Sequence, residues 1–196
     1  MPIRTIARLY DSYGEAQAVV SDLYRLGVSA DDVSFVANDS EGRYAAPEPA
    51  ASGATAAVTG AGIGVVLGGG AGLLAGIGAL TIPGIGPAVA AGWLVSMLAG
   101  AGVIGVAGGL LGSLVGTGLP EDEAHVYTNG VRRGGAVVAV RAEETRLPQI
   151  AAVLVERDSD WKNRSTEYRG GSWDKFDEHA PPYMAEPDEQ IYAPPR

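Results

Sequence analysis

Few side chains in this sequence are suited to acid–base or metal chemistry. His125 and His179 are its two histidines, and it has no cysteine. That excludes a thiolate metal site, a disulfide scaffold and a cysteine nucleophile. His125 follows Glu121 by four residues on a stretch that reads as helix, so the two form a solvated pair on one face rather than a general base. His179 sits in a polar, proline-rich stretch with no expected partner. Glu121-Asp122-Glu123 reads as a helix N-terminus, where acids face the positive end of the dipole. Arg132 and Arg133 close the same helix, and contact with anionic lipid headgroups is the functional alternative to that capping role.

One nucleotide-like motif is present. Gly100-Ala-Gly102-Val-Ile-Gly105 matches G-x-G-x-x-G, with Glu121 downstream and Trp93–Leu98 as the strand that would have to precede it. In a segment this rich in glycine, chance matches are common, and the motif is read as a decoy. There is no P-loop lysine motif and no G-x-S-x-G elbow. No catalytic, cofactor-binding or metal-ligating residue is assigned, and no cofactor is expected. A net charge of −9 disfavours nucleic acid as a partner.

Any site must be positioned by elements that fall into distinct regions. Residues 1–44 read as the first half of an α+β domain. A strand over 5–10 is followed by a helix with Ala16, Val19, Val20, Leu23 and Leu26 at helical spacing, Asp11 or Ser12 as its cap and Gly27 as its stop. Val33–Val36 is a second strand. Residues 120–168 read as the second half: a helix from Pro120 to about Arg133, a strand over 136–140, a helix opened by Leu147-Pro148, and a final strand near Trp161–Tyr168. Neither half has enough apolar residues for a core. Together they suggest a ferredoxin-like sandwich with helices on one face of the sheet. The N-terminus lacks the apolar run of a secretory signal, so the expected location is the cytoplasm or the cytoplasmic face of the inner membrane, with membrane insertion open.

The middle is the least ordinary part. From Pro49 to Pro120 there are 72 residues without a charge, and 21 of the chain's 29 glycines lie between Gly53 and Gly118. Gly60, Gly64, Gly68, Gly72 and Gly76 recur every fourth residue. Gly92, Ser96, Gly100, Gly108, Gly112 and Gly116 repeat the interval, interrupted at Ile104. Residues 50–119 therefore read as a glycine-zipper helical hairpin, its small-residue stripes allowing two backbones to approach closely. Pro83, Gly84, Gly86 and Pro87 mark its turn. Bilayer insertion and packing within a homo-oligomer are both open: only 8 of the 21 residues Gly60–Leu80 are Val, Leu or Ile, so the gain from lipid is marginal. On this reading, replacing 50–119 by a short linker leaves a folded domain. Residues 169–196 form an acidic, proline-rich tail. Its aromatics Trp173, Phe176, Tyr183 and Tyr192 suggest an extended segment docking on a surface.

Thr5–Ser12, Glu15–Leu23 and Leu26–Val36 resemble the heat-induced stress protein YflT-like (general stress protein) domain family. Ile82–Pro87, Pro120–His125 and Gly130–Gly135 resemble the form of that domain carrying a glycine-rich hairpin. The resemblance implies a bacterial, stress-associated, non-enzymatic protein and transfers no catalytic residue. The expected function is a structural protein that self-assembles, associates with membrane, or does both through the hairpin. The alternative is a small-ligand-binding or regulatory α+β module that the hairpin anchors. The expected partners are further copies of itself, with membrane lipid as a second candidate.

Overall fold

The computed structural model describes residues 2–40, 42, 78–82, 84–101, 109–155, 161–170, 175–177 and 179. In chain order the elements are β1 (Ile3–Tyr10), α1 (Tyr13–Arg25), β2 (Val33–Asn38), β3 (Gly78–Ile82), β4 (Gly86–Gly92) and α2 (Trp93–Ala101). They continue with α3 (Gly109–Gly116), α4 (Glu121–Arg132), β5 (Ala136–Glu143), α5 (Leu147–Val155) and α6 (Trp161–Gly170).

Local chemistry sets the first and fourth helices. The Ser12 hydroxyl accepts the Glu15 amide at 3.2 Å, and the Glu15 carboxylate reaches back to the Asp11 amide at 3.2 Å. One orphan donor of α1 and the amide just before its cap are thereby satisfied. Ala16, Val19, Val20 and Leu23 bury one face of α1. In α4, Pro120 precedes three acids, and the chain turns out of the helix at Arg133 and Gly134.

The sheet is wholly antiparallel between neighbours, in the order β1-β5-β2-β4-β3. β1 and β2 therefore run parallel, joined by α1, with β5 inserted between them. β5 comes from beyond the charge-free interval, so strands from both sides of that interval pair directly: Ile6 lies opposite Val140, and Val36 opposite Val137. The strand order is not ferredoxin-like. Among the described residues β1 is an edge strand, and the sheet grows from β2 through β4 to β3.

Alternation along the strands makes both faces apolar, and helices cover both faces rather than one. Ala7, Leu9, Val36, Ala88, Ala90, Val137 and Ala139 face Leu94, Leu110, Leu114, Tyr127, Val131 and Tyr168, from α2, α3, α4 and α6. Tyr10, Phe35, Ala37, Val89, Val138 and Val140 face Val19, Leu23, Ile150 and Leu154, from α1 and α5.

The charge-free interval departs most from the sequence reading. A turn does fall within 81–87, closed by the Ile85 amide on the Ile82 carbonyl at 3.1 Å, but it joins two strands, not two helices. A helix through 88–118 is replaced by β4, α2 and α3, the last two nine and eight residues long. The physical reason lies in β2, whose free edge offers unpaired amides and carbonyls that β4 satisfies from Ser34 to Asn38. The described part of the interval shares its core with the flanks: Ile82, Ile85, Leu94, Leu98, Leu110 and Leu114 cluster with Leu9 and Tyr127. Gly60, Gly64, Gly68, Gly72 and Gly76 lie outside the described residues, as do Pro83 and Gly108. Trp161–Tyr168, expected as a strand, lies in helix α6. Among the described residues, no helix is long and apolar enough to cross a membrane.

Candidate functional site

Polar side chains converge on α4, which lies against β1. Two glycines outside the expected zipper make a close approach here. A Cβ on Gly130 would stand 2.3 Å from Leu9 Cδ2, and one on Gly135 would stand 2.7 Å from the Tyr10 carbonyl. These two glycines let α4 settle onto the edge strand.

That contact brings Arg8, Glu123 and Tyr127 together. Arg8 Nη1 lies 3.6 Å from Glu123 Oε1, and the side chains are 22% and 13% exposed. Tyr127 Oη is 3.1 Å from the Ala7 carbonyl and also within hydrogen-bond reach of Glu123. A phenol has one proton, and the charged carboxylate is the stronger acceptor. Arg8 then donates to the Ala7 carbonyl at 2.7 Å. The arrangement satisfies an outward-pointing carbonyl on an edge strand, where such groups otherwise invite another chain to pair. Arg8 Nη1, Glu123 Oε1 and Tyr127 Oη thus hold α4 to the Ala7 carbonyl of β1.

His125 lies one turn from Glu121 on α4, but the pair is not solvated as expected. Glu121 is 68% exposed, whereas the imidazole is buried. Its Nε2 is 3.6 Å from Glu121 Oε1, and its Nδ1 accepts the Phe176 amide at 3.1 Å. Phe176 is itself buried, in the core cluster that holds Leu119, Ala124 and Tyr168. Trp173, Tyr183 and Tyr192, the other aromatics expected to dock, lie outside the described residues.

Helix α6 is fastened at the far end of α4. Arg164 pairs with Asp11, and the Arg133 guanidinium sits 4.8 Å over the Tyr168 ring. This gives Arg133 a structural partner of its own. Burial pushes the Tyr168 phenol up, and Arg164 and Arg133 offset this only in part. Burial opposes the charge on Arg164, but Asp11 and Tyr168 together outweigh it and the guanidinium holds its proton more tightly.

The remaining expected site residues are dispersed. Gly92 ends strand β4 with φ +86, and a Cβ there would meet the Val33 carbonyl at 2.3 Å, so its close neighbour is a strand. Ser96 and Gly112 are exposed. Gly116 is exposed too, and its Cβ would meet only Met97 Cε at 3.4 Å. Gly100 falls in the last turn of α2. Because Trp93–Leu98 is helical, the strand that a dinucleotide motif at 100–105 requires is missing. Gly84, Gly86 and Pro87 lie in the β3–β4 turn or at its border.

The sequence did not foretell the Ser34 hydroxyl. It is fully buried on β2, donates to the Ala91 carbonyl at 2.8 Å and accepts the Leu94 amide at 3.1 Å. It thus caps α2 from another strand, and no local motif announces such a cap. Among the described residues, no three histidine or acidic side chains are placed to hold a metal. No family model, curated protein or solved structure matches the chain.

Proposed function

We propose that the chain is a non-enzymatic structural protein that associates with further copies of itself through its charge-free interval. The observation carrying this reading is the absence of any charge over the 72 residues from Pro49 to Pro120. Part of that interval lies at the surface: Ser96 on α2 and Gly112, Val115 and Gly116 on α3 are exposed. A surface without charge has little to keep copies apart. The polar clusters on α4 support the non-enzymatic side, since their atoms are engaged in holding α4, β1 and the tail. A stress-associated role is proposed on the sequence resemblance alone.

The test is particle mass by light scattering across a concentration series, for the native chain and Val115→Glu. Val115 is 39% exposed, so the fold accommodates a carboxylate there. The native chain should form particles of several copies, and the variant should shift toward single chains. A native chain that stays monomeric throughout would overturn self-association. Pelleting of that monomer with phosphatidylcholine vesicles would assign the interval to a membrane surface instead.

A further inference from the structure

We propose that residues 175–177 form a proton-gated clasp on α4, closed while His125 is neutral and opened when it is protonated. The clasp has one apolar anchor and one polar latch. Phe176 is 8% exposed, while Lys175 and Asp177 on either side are exposed, so a single side chain seats the segment. The latch is the Phe176 amide donating to His125 Nδ1 at 3.1 Å. A ring nitrogen accepts only when it carries no proton. An imidazolium has N–H at both positions and no acceptor. Protonation therefore sets two donors against each other in a buried place, which is costly to leave uncompensated.

The charges around the ring do not cancel this effect. Glu121, on the same helix, lies on the opposite ring nitrogen at 3.6 Å. It favours the charged ring and so assists opening, while water screens it. From the tail, Lys175 is exposed, and Asp177 accepts the His179 amide at 2.9 Å. On α6, Arg164 pairs with Asp11, Tyr168 packs under Arg133, and Glu167 is exposed. Helix α3 carries no charged residue. Glu123 is engaged with Arg8 and Tyr127. The sign follows: docking is present while Nδ1 can accept and is lost when the ring takes a second proton. Opening bares the apolar seat of Phe176 beside α4.

Because the chain has no cysteine, Lys175→Cys gives a unique site for a nitroxide spin label. Label mobility, read by electron paramagnetic resonance, does not itself depend on pH. Between pH 8 and pH 5 the mobile fraction relative to the docked one should rise about tenfold. His125→Gln, which keeps an acceptor that does not titrate, should abolish the response, and His179→Gln should leave it intact. Phe176→Ala should be mobile at both ends of the range. Glu121→Gln, at an exposed position that leaves folding alone, should move the midpoint to lower pH. The clasp is overturned by a label equally immobile at pH 8 and pH 5. It is also overturned by a response that survives His125→Gln or, should that variant not fold, by a midpoint that ignores Glu121→Gln.

Discussion

Gly92 shows how a single residue can be read correctly as a place of close approach and wrongly as to its neighbour. Spacing puts it on a helical small-residue stripe, whereas its backbone ends β4 at φ +86, against the Val33 carbonyl. A side chain there meets strain and collision together. Gly92→Ala should cost about 2–4 kcal/mol in urea titration. Gly116→Ala, where the added methyl only touches Met97, should be neutral or slightly stabilising. Equal losses at the two positions would restore the helical stripe. The Ala7 carbonyl is another residue-scale lesson. Its protection by Arg8 joins side chains far apart in sequence to Tyr127 and Glu123, and only the fold reveals why an arginine belongs in that strand.

At the scale of elements, α6 should respond to alkali. The folded chain holds the Tyr168 proton more tightly than an unfolded one would. Docking of α6 is therefore complete below the ordinary tyrosine range, about pH 10, and is lost as pH rises through the higher folded value. The thermal midpoint should fall more steeply between pH 8 and pH 11 in the native chain than in Tyr168→Phe; identical slopes would remove Tyr168 from the linkage. The helices α1 and α4 were legible because their signals are local: a hydroxyl cap, acids at one end, a glycine at the other. The interval around β3 and β4 was not, for a geometric reason. A four-residue repeat returns to one side of a helix, but it returns equally to one side of a strand. Small residues every fourth position cannot distinguish the two, and the free edge of β2 decided the outcome. Trp161–Tyr168 failed differently. No local signal marks it as a helix, and its fixed points are the ion pair to Asp11 and the stack under Arg133.

At the scale of the whole molecule, the charge-free interval supplies two strands to the sheet and two helices to the core. Replacing 50–119 by a short linker removes β3, β4, α2 and α3, together with the Leu94, Leu110 and Leu114 side of the core. The remainder should lose its cooperative thermal transition by circular dichroism, and a product that still melts sharply would show the two flanks to be self-sufficient. The central place of β5 also has a consequence in time. A ribosome delivers β1, α1 and β2 first, yet the strand that joins β1 to β2 begins only at Ala136. Until then neither early strand has its shared partner, and the glycine-rich stretch emerges while they wait. Non-local pairing of this kind is slow and leaves edges open to other chains. The cell's chance to intervene, by a chaperone or by a neighbouring nascent chain, thus falls between synthesis of Asn38 and synthesis of Glu143.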